Sequence, residues 1–218
     1  MKNKIISIEE AMNYVHDGDM VMIGGFMSCG TPEILMDAIV EKGIKDLTVI
    51  ANDSGVVGKG IGKLISAKLV KRLVASHVGL NPETGIQMTA AELEVELVPQ
   101  GSLAEKIRAG GAGLGGVLTP TGVGTEVEIG KQKITLEGIE YLIEMPLKAD
   151  VALIRGSIVD KAGNIFYNAT TKNFNPFMAT AAKTVIVAAE RVVEVGEIDP
   201  NHVMTPAIFV DYIVEGEV

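Results

Sequence analysis

The feature that most constrains the fold is a rhythm, in which short apolar runs alternate with segments whose apolar residues recur at helical spacing. Residues 20–23, 47–51 and 73–75 read as buried strands, and 93–97, Leu-Glu-Val-Glu-Leu, alternates with period two and so reads as a strand with one wet face. Between them Ile34, Leu35, Ala38 and Ile39, and later Ile61, Leu64 and Ile65, fall three and four residues apart. A parallel crossover needs a connection long enough to return the chain, so this order predicts an α/β fold: a mostly parallel open sheet with helices on both faces. Helix ends carry punctuation. Ser7 with Glu10 forms a capping box ahead of Ala11, Met12 and Val15; Thr31 reads as an N-cap with Pro32 in the first helical position; Gly43 stands past the end.

The rhythm breaks at 131–145, where two alternating segments, 133–136 and 139–143, flank Glu137-Gly138 and predict an antiparallel hairpin excursion. Residues 151–154 and 184–189 resume the buried-strand pattern, with a turn at 160–164 and a helix over 176–182. A chain of 218 residues with 47% hydrophobic content can bury a sizeable core, and residues 1–218 are expected to form a single domain. The formal charge of −9 argues against nucleic-acid binding, which draws its affinity from Lys and Arg on phosphates. One cysteine leaves no internal disulfide, and no secretory-type apolar stretch precedes Glu9 and Glu10, so a cytoplasmic protein is expected. No apolar run approaches the roughly 18 residues of a spanning helix, and no membrane association is expected.

Two stretches are too glycine-rich for ordinary connections. Gly24-Gly25-Phe26-Met27-Ser28-Cys29-Gly30-Thr31-Pro32 leaves a strand and enters a helix. It reads either as a cradle for an acyl or phosphate group at a helix N-terminus or as a tight turn in which glycine relieves crowding. In the second, Gly110-Gly111-Ala112-Gly113-Leu114-Gly115-Gly116, residues Gly111, Gly113 and Gly116 satisfy the dinucleotide fingerprint G-x-G-x-x-G. That fingerprint must follow a strand and open a helix, whereas here a helix expected to be capped by Ser102 and Glu105 leads into the glycines and a strand at Val117 follows. A nicotinamide-dependent oxidoreductase therefore ranks only as an alternative, as does a non-catalytic ligand-sensing module of the same build.

Ligands of open α/β sheets gather at the carboxyl ends of strands. Asn52, in Asn52-Asp53-Ser54-Gly55, leaves one such end and Gln100 leaves another. Asn52 reads either as an amide aimed at a substrate oxygen or as part of an Asx turn. Cys29 reads as a packing residue, and Arg108 either as a phosphate contact or as compensation of a helix dipole. His16, His77 and His202 lack metal-ligand spacing, and no metal is expected.

Taken together, Asp17-Gly18-Asp19-Met20-Val21-Met22-Ile23-Gly24-Gly25-Phe26-Met27-Ser28-Cys29-Gly30-Thr31-Pro32 resembles the first signature of family I coenzyme A transferases. The similarity continues through Ala51-Asn52-Asp53-Ser54-Gly55, through 92–101, 107–113 and 119–125, and through Lys172-Asn173-Phe174-Asn175. The chain resembles the alpha subunit of the acetate or butyrate–acetoacetate type. The resemblance implies exchange of CoA between short-chain acyl-CoA or acetoacetyl-CoA and a carboxylic acid, with CoA thioesters as substrates and no other cofactor. It implies a covalent glutamyl-CoA intermediate on a glutamate of a beta subunit, within a Ser-Glu-x-Gly sequence, and an α2β2 assembly. Glu41, Glu83, Glu128 and Glu194 each stand two residues before a glycine, but Val40, Pro82, Val127 and Val193 precede them, so the nucleophile is expected on the partner. The resemblance assigns Asn52 and Gln100 to the catalytic site, and Gly24, Gly25, Phe26, Gly30, Gly110, Gly111 and Gly113 to the cleft around it.

Overall fold

The structure is a computed structural model that describes residues 3–216. Its strands are β1 (Met20–Ile23), β2 (Leu47–Ile50), β3 (Val70–Ala75), β4 (Glu94–Leu97), β5 (Val117–Thr119), β6 (Lys133–Leu136), β7 (Ile139–Glu144), β8 (Ala149–Gly156), β9 (Ile158–Asp160), β10 (Ile165–Phe166), β11 (Ala182–Ala189), β12 (Val192–Val193) and β13 (Tyr212–Glu215). Its α-helices are α1 (Ile8–Ala11), α2 (Glu33–Lys42), α3 (Ile61–Ser66), α4 (Pro82–Thr89), α5 (Gln100–Ala112) and α6 (Asn175–Thr180).

The main sheet has seven strands in the order β13-β11-β8-β1-β2-β3-β4. Every pairing within it is parallel, as the alternating pattern predicts. In β1, Val21 pairs with Val49 on one side and with Val151 on the other. Period-two geometry sends Val21 and Ile23 to one face and Met22 to the other. The first face packs with Leu35, Met36 and Ile39 of α2 and Leu64 and Ile65 of α3; the second packs with Leu103 and Ile107 of α5 and Met178 of α6. These side chains are fully buried, and each contributes about 1.5–3 kcal/mol by leaving water. Asp150, at the start of β8, ties three strands together by accepting from Lys183 of β11 and from the Met20 amide of β1. The Lys183 ammonium, ahead of that amide, holds the Asp150 carboxyl below the usual carboxylate range.

From β1 the chain builds outward through β2, β3 and β4, then returns to the other side of β1 with β8, β11 and β13. The order reverses between β1 and β8, and a reversal of this kind opens a crevice at the carboxyl ends of the strands.

The expected hairpin is present as β6 and β7, joined by Glu137 and Gly138 at φ of 52° and 81°, the left-handed pair a two-residue hairpin turn needs. β5 joins it as a third strand, in the order β5-β7-β6. A second small sheet, β10-β9-β12, was not expected; its turn is organised by the buried Asp160, whose Oδ1 accepts from the amides of Ala162, Gly163 and Asn164.

Several helices differ from expectation, α6 running over Asn175–Thr180 instead of 176–182. α2 begins at Glu33 with Pro32 as its N-cap, because the Thr31 side chain is turned against the Gly25 backbone instead of the helix end. α5 begins at Gln100, so Ser102 lies inside the helix and buried instead of capping it. α4 was missed: Asn81 caps it by accepting from the Glu83 amide, but its apolar residues Ile86 and Met88 are exposed and give no core-facing stripe.

Two helical glycines separate packing from propensity. A Cβ at Gly110 would lie 1.9 Å from the Leu147 carbonyl oxygen, whereas at Gly85 in α4 nothing lies within 4 Å. Gly85→Ala should therefore raise stability by about 0.5–1 kcal/mol, and Gly110→Ala should lower it by about 1–3 kcal/mol despite the same gain in propensity. Thermal unfolding checks the pair, with midpoints moving in opposite directions by about 2–4 °C per kcal/mol.

Candidate active site

The crevice is walled by the loop that leaves β1. Gly24 donates its amide to Leu153 of β8, and Phe26 and Cys29 then exchange main-chain bonds at 2.9 Å in each direction. The two residues between them, Met27 and Ser28, sit at φ of 49° and 68° without being glycines. L-residues resist this region by about 1–2 kcal/mol each, so the turn needs external fastening.

The fastening comes from three polar side chains. Asn175 is fully buried and donates to the carbonyls of Gly30 (3.0 Å) and Thr171 (2.8 Å), while its Oδ1 accepts from the Arg155 amide (3.0 Å). A Cβ at Gly24 would lie 1.8 Å from that Oδ1, so the first glycine exists to let Asn175 approach. Asn173 donates to the Cys29 carbonyl at 2.9 Å. From the opposite side, Asp53 Oδ2 accepts the Met27 amide at 2.8 Å. Gly25, at φ +126°, takes a backbone conformation that side-chain-bearing residues rarely adopt.

Asn52 and Gln100 meet. Asn52, two residues beyond the end of β2, is 2% exposed; Gln100 is the first residue of α5, only two residues after Val98, and is exposed. Gln100 Nε2 donates to Asn52 Oδ1 at 2.6 Å, and Asn52 Nδ2 donates to Asp53 Oδ2 at 2.7 Å. Ser76, beyond β3, donates its hydroxyl to the Asn52 carbonyl at 2.8 Å. The Asx turn of this segment is made by Asp53, which accepts the Gly55 amide at 2.8 Å, and the Asn52 side chain faces Gln100.

Beside the β1 loop lies an open, largely apolar cavity of about 790 Å³, walled by Phe26, Cys29, Pro176 and Phe177, with Lys172 and Asn173 at its polar side. Cys29 is exposed, contrary to its expected packing role, because the tight turn before it carries the residue away from the core; its Sγ lies 3.3 Å from Thr170 Oγ1.

The second glycine cluster is placed elsewhere. Gly110 and Gly111 lie in the last turns of α5, about 15 Å along the helix from Gln100, and Gly113 follows them. A Cβ at Gly111 would lie 2.0 Å from Thr180 Oγ1, so these glycines admit the end of α6 and the chain after β7 to close contact with α5. The structure does not bring Gly110, Gly111 or Gly113 to Asn52 and Gln100, and no strand–turn–helix dinucleotide cradle exists there. Arg108 pairs with Glu105 at 2.6 Å on the surface, and the Glu105 carboxylate holds its guanidinium pKa above the ordinary value. Among the described residues no cluster of His, Cys, Asp and Glu suits a metal ion, and no helix is long and apolar enough to cross a membrane.

Known proteins align with this architecture over nearly its whole length. The coenzyme A transferase family profile matches residues 5–216. The chain belongs to the coenzyme A transferase family. It is 57% identical over 215 residues to the acetoacetyl-CoA:acetate/butyrate CoA transferase alpha subunit of Clostridium acetobutylicum, covering 99% of both chains. It is 50% identical over 214 residues to the acetate CoA-transferase subunit alpha of Escherichia coli, covering 98% of this chain and 97% of that one. Among solved structures, an Escherichia coli acyl-CoA transferase in a thioester complex with CoA superposes with a TM-score of 0.84 at 22% identity, over 99% of this chain and 47% of that longer one. The glutaconate coenzyme A-transferase of Acidaminococcus fermentans also gives 0.84 at 22% identity, over 98% of this chain and 76% of that one. At this identity the two structures speak for the fold.

Asp53 and Ser76 escaped sequence reasoning, as did the fastening role of Asn173 and Asn175. The available signal was two asparagines in a stretch, Lys172-Asn173-Phe174-Asn175, that precedes a short apolar helix. Asn175→Ala would leave the Gly30 carbonyl and the Arg155 amide without their buried partner. It should cost about 2–3 kcal/mol, seen as an unfolding midpoint lowered by about 4–12 °C.

Proposed function

We propose that the chain is the alpha subunit of a two-subunit, cytoplasmic enzyme that moves CoA between acetoacetyl-CoA and a short-chain acid such as acetate or butyrate. The names of the relatives at 57% and 50% identity, matched along almost their full length, support this substrate class. The whole chain would act as one domain and assemble with a beta subunit as α2β2. No cofactor beyond the CoA thioester is called for.

The observation that carries the reading is a pair of carboxamides without a nucleophile. Asn52 and Gln100 are hydrogen-bonded at the carboxyl ends of two parallel strands, and no Ser-Glu-x-Gly sequence exists in the chain. In the proposed reaction a glutamate carboxylate of the beta subunit attacks the thioester carbonyl, and the CoA thiolate leaves to give a mixed anhydride. The thiolate then attacks the glutamyl carbonyl of that anhydride and releases the first acid as its carboxylate. The incoming carboxylate runs the same two steps in reverse and departs as the new thioester. Each attack places negative charge on a carbonyl oxygen. The N–H groups of Asn52 and Gln100 that remain outside their mutual chain would donate to that oxygen, and one such preorganised donor is worth about 3 kcal/mol. The loop carrying Gly24, Gly25, Phe26 and Gly30 would wall the cleft, with the Phe26 ring, 41% exposed, supplying apolar surface to the substrate.

Loss of acetoacetyl-CoA in the presence of acetate tests the reading directly. The chain alone should show no turnover, and the chain with a beta subunit bearing Ser-Glu-x-Gly should be active. Asn52→Ala and Gln100→Ala should each slow the assembled enzyme by about 10²–10³-fold while the complex elutes unchanged on size exclusion. Full activity of the lone chain, or parental rates in both variants, would contradict the proposal.

A further inference from the structure

Asp53 is the most unusual group near the proposed site. It is 4% exposed, and its carboxylate accepts three N–H groups: the Met27 amide and Asn52 Nδ2 on Oδ2, and the Gly55 amide on Oδ1. Among the described residues no Lys, Arg or His side chain forms an ion pair with it. A buried carboxylate without a counter-cation survives on such charge-assisted bonds, two of them from its own segment 52–55 and one from the loop after β1.

An ionised carboxylate only accepts, whereas a carboxamide has one accepting and one donating end. With Asp53 ionised, Asn52 must turn its amino end toward it, which sends Asn52 Oδ1 toward Gln100. Gln100 must then present its own amino end to Asn52, as the 2.6 Å contact has it. The direction of the whole chain, from Gln100 through Asn52 to Asp53, is dictated by the one member that cannot reverse.

We propose that Asp53 is a positioning residue, which sets the donor direction of the Asn52–Gln100 pair and at the same time anchors the left-handed Met27–Ser28 turn against it. Its negative charge has the wrong sign for stabilising a growing oxyanion, and it is 4% exposed, so it acts through Asn52 and not on substrate. The inference rests on the site reading given under Proposed function. It goes beyond that reading by naming what keeps two reversible amides from presenting oxygen where nitrogen is needed.

The test combines kinetics of the assembled enzyme with hydrogen exchange in the full chain. With acetoacetyl-CoA and acetate, Asp53→Asn should lower kcat by about 10- to 100-fold, since the amide at 52 loses its fixed direction, and leave KM within about threefold. In an Asn52→Ala background the same change should cost less than about threefold, because no amide remains to be oriented. By NMR, exchange of the Met27 amide and of the Asn52 side-chain amide should speed up at least about tenfold in Asp53→Asn as their charged acceptor is lost. Equal kinetic losses in both backgrounds would overturn the proposal, as would unchanged exchange at Met27 and Asn52. If Asn52→Ala and Gln100→Ala themselves ran at the parental rate, the site reading would fail, and exchange alone would decide whether Asp53 positions these groups. Should Asp53→Asn not fold, Asp53→Ser keeps a short acceptor for Gly55 and enters the same cycle with the same expectations.

Discussion

Everything at this site depends on β1 being a fully paired central strand. Its backbone is hydrogen-bonded to β2 on one side and β8 on the other, and its residues 21–23 are buried on both faces. A strand so confined cannot shift register without sending Val21 and Ile23 into the opposite core layer. Its carboxyl end is thereby fixed in space, and the reversal of strand order beside it leaves the loop from Gly24 no neighbouring crossover to lie against. The crevice follows from topology before any catalytic side chain is considered.

The loop in that crevice has almost no regular structure, so its polar groups must be satisfied one at a time. Asn175, Asn173 and Asp53 do this from two sides, reaching the Gly30 carbonyl, the Cys29 carbonyl and the Met27 amide respectively. Buried polar side chains specify a single arrangement more sharply than apolar contacts, since a half-made network leaves costly orphan groups. This explains how two non-glycine residues can stay in the left-handed region at a place open to solvent. The β1 loop is fastened by three side chains from two distant segments of the chain, Asp53 and the Asn173–Asn175 stretch.

Elements with a strong period were legible in the sequence. β1, β2, β8 and β11 have the continuous apolar runs of strands buried on both faces, and the β6–β7 hairpin declares itself through Glu137-Gly138 between alternating residues. β9, β10 and β12 are two or three residues long, too short for a period to register, and α4 has no core-facing stripe to betray it. The meeting of Asn52 and Gln100 was anticipated only as two amides leaving matching strand ends; their contact depends on β3 alone separating β2 from β4. The two glycine clusters have similar composition and opposite physics. In the first, a left-handed turn and the approach of Asn175 require small residues, while in the second, Gly110 and Gly111 are ordinary helix interior pressed against neighbouring chain. Composition alone cannot tell a ligand cradle from a packing seam, because both call for the absence of a Cβ.

Gln100 carries a further demand, since it is exposed and stands at the outermost strand of the sheet, where packing is thinnest. Beyond the burial of Leu103 and Ile107, ion pairs fix the position of its helix. Lys106, one side chain in from the surface at 8% exposure, lies 3.4 Å from Glu144 at the end of β7, and Glu144 also meets Lys131 at 2.5 Å. Glu96 of β4 reaches Lys106 at 4.0 Å and Arg72 of β3 at 2.6 Å. Buried ion pairs add little net stability, but removing one partner is costly, so such a chain fixes geometry more than it adds free energy. It ties α5 to the edge of the main sheet and to the antiparallel excursion together. The excursion, which looks dispensable as a surface hairpin, thus helps hold the helix whose first residue completes the amide pair.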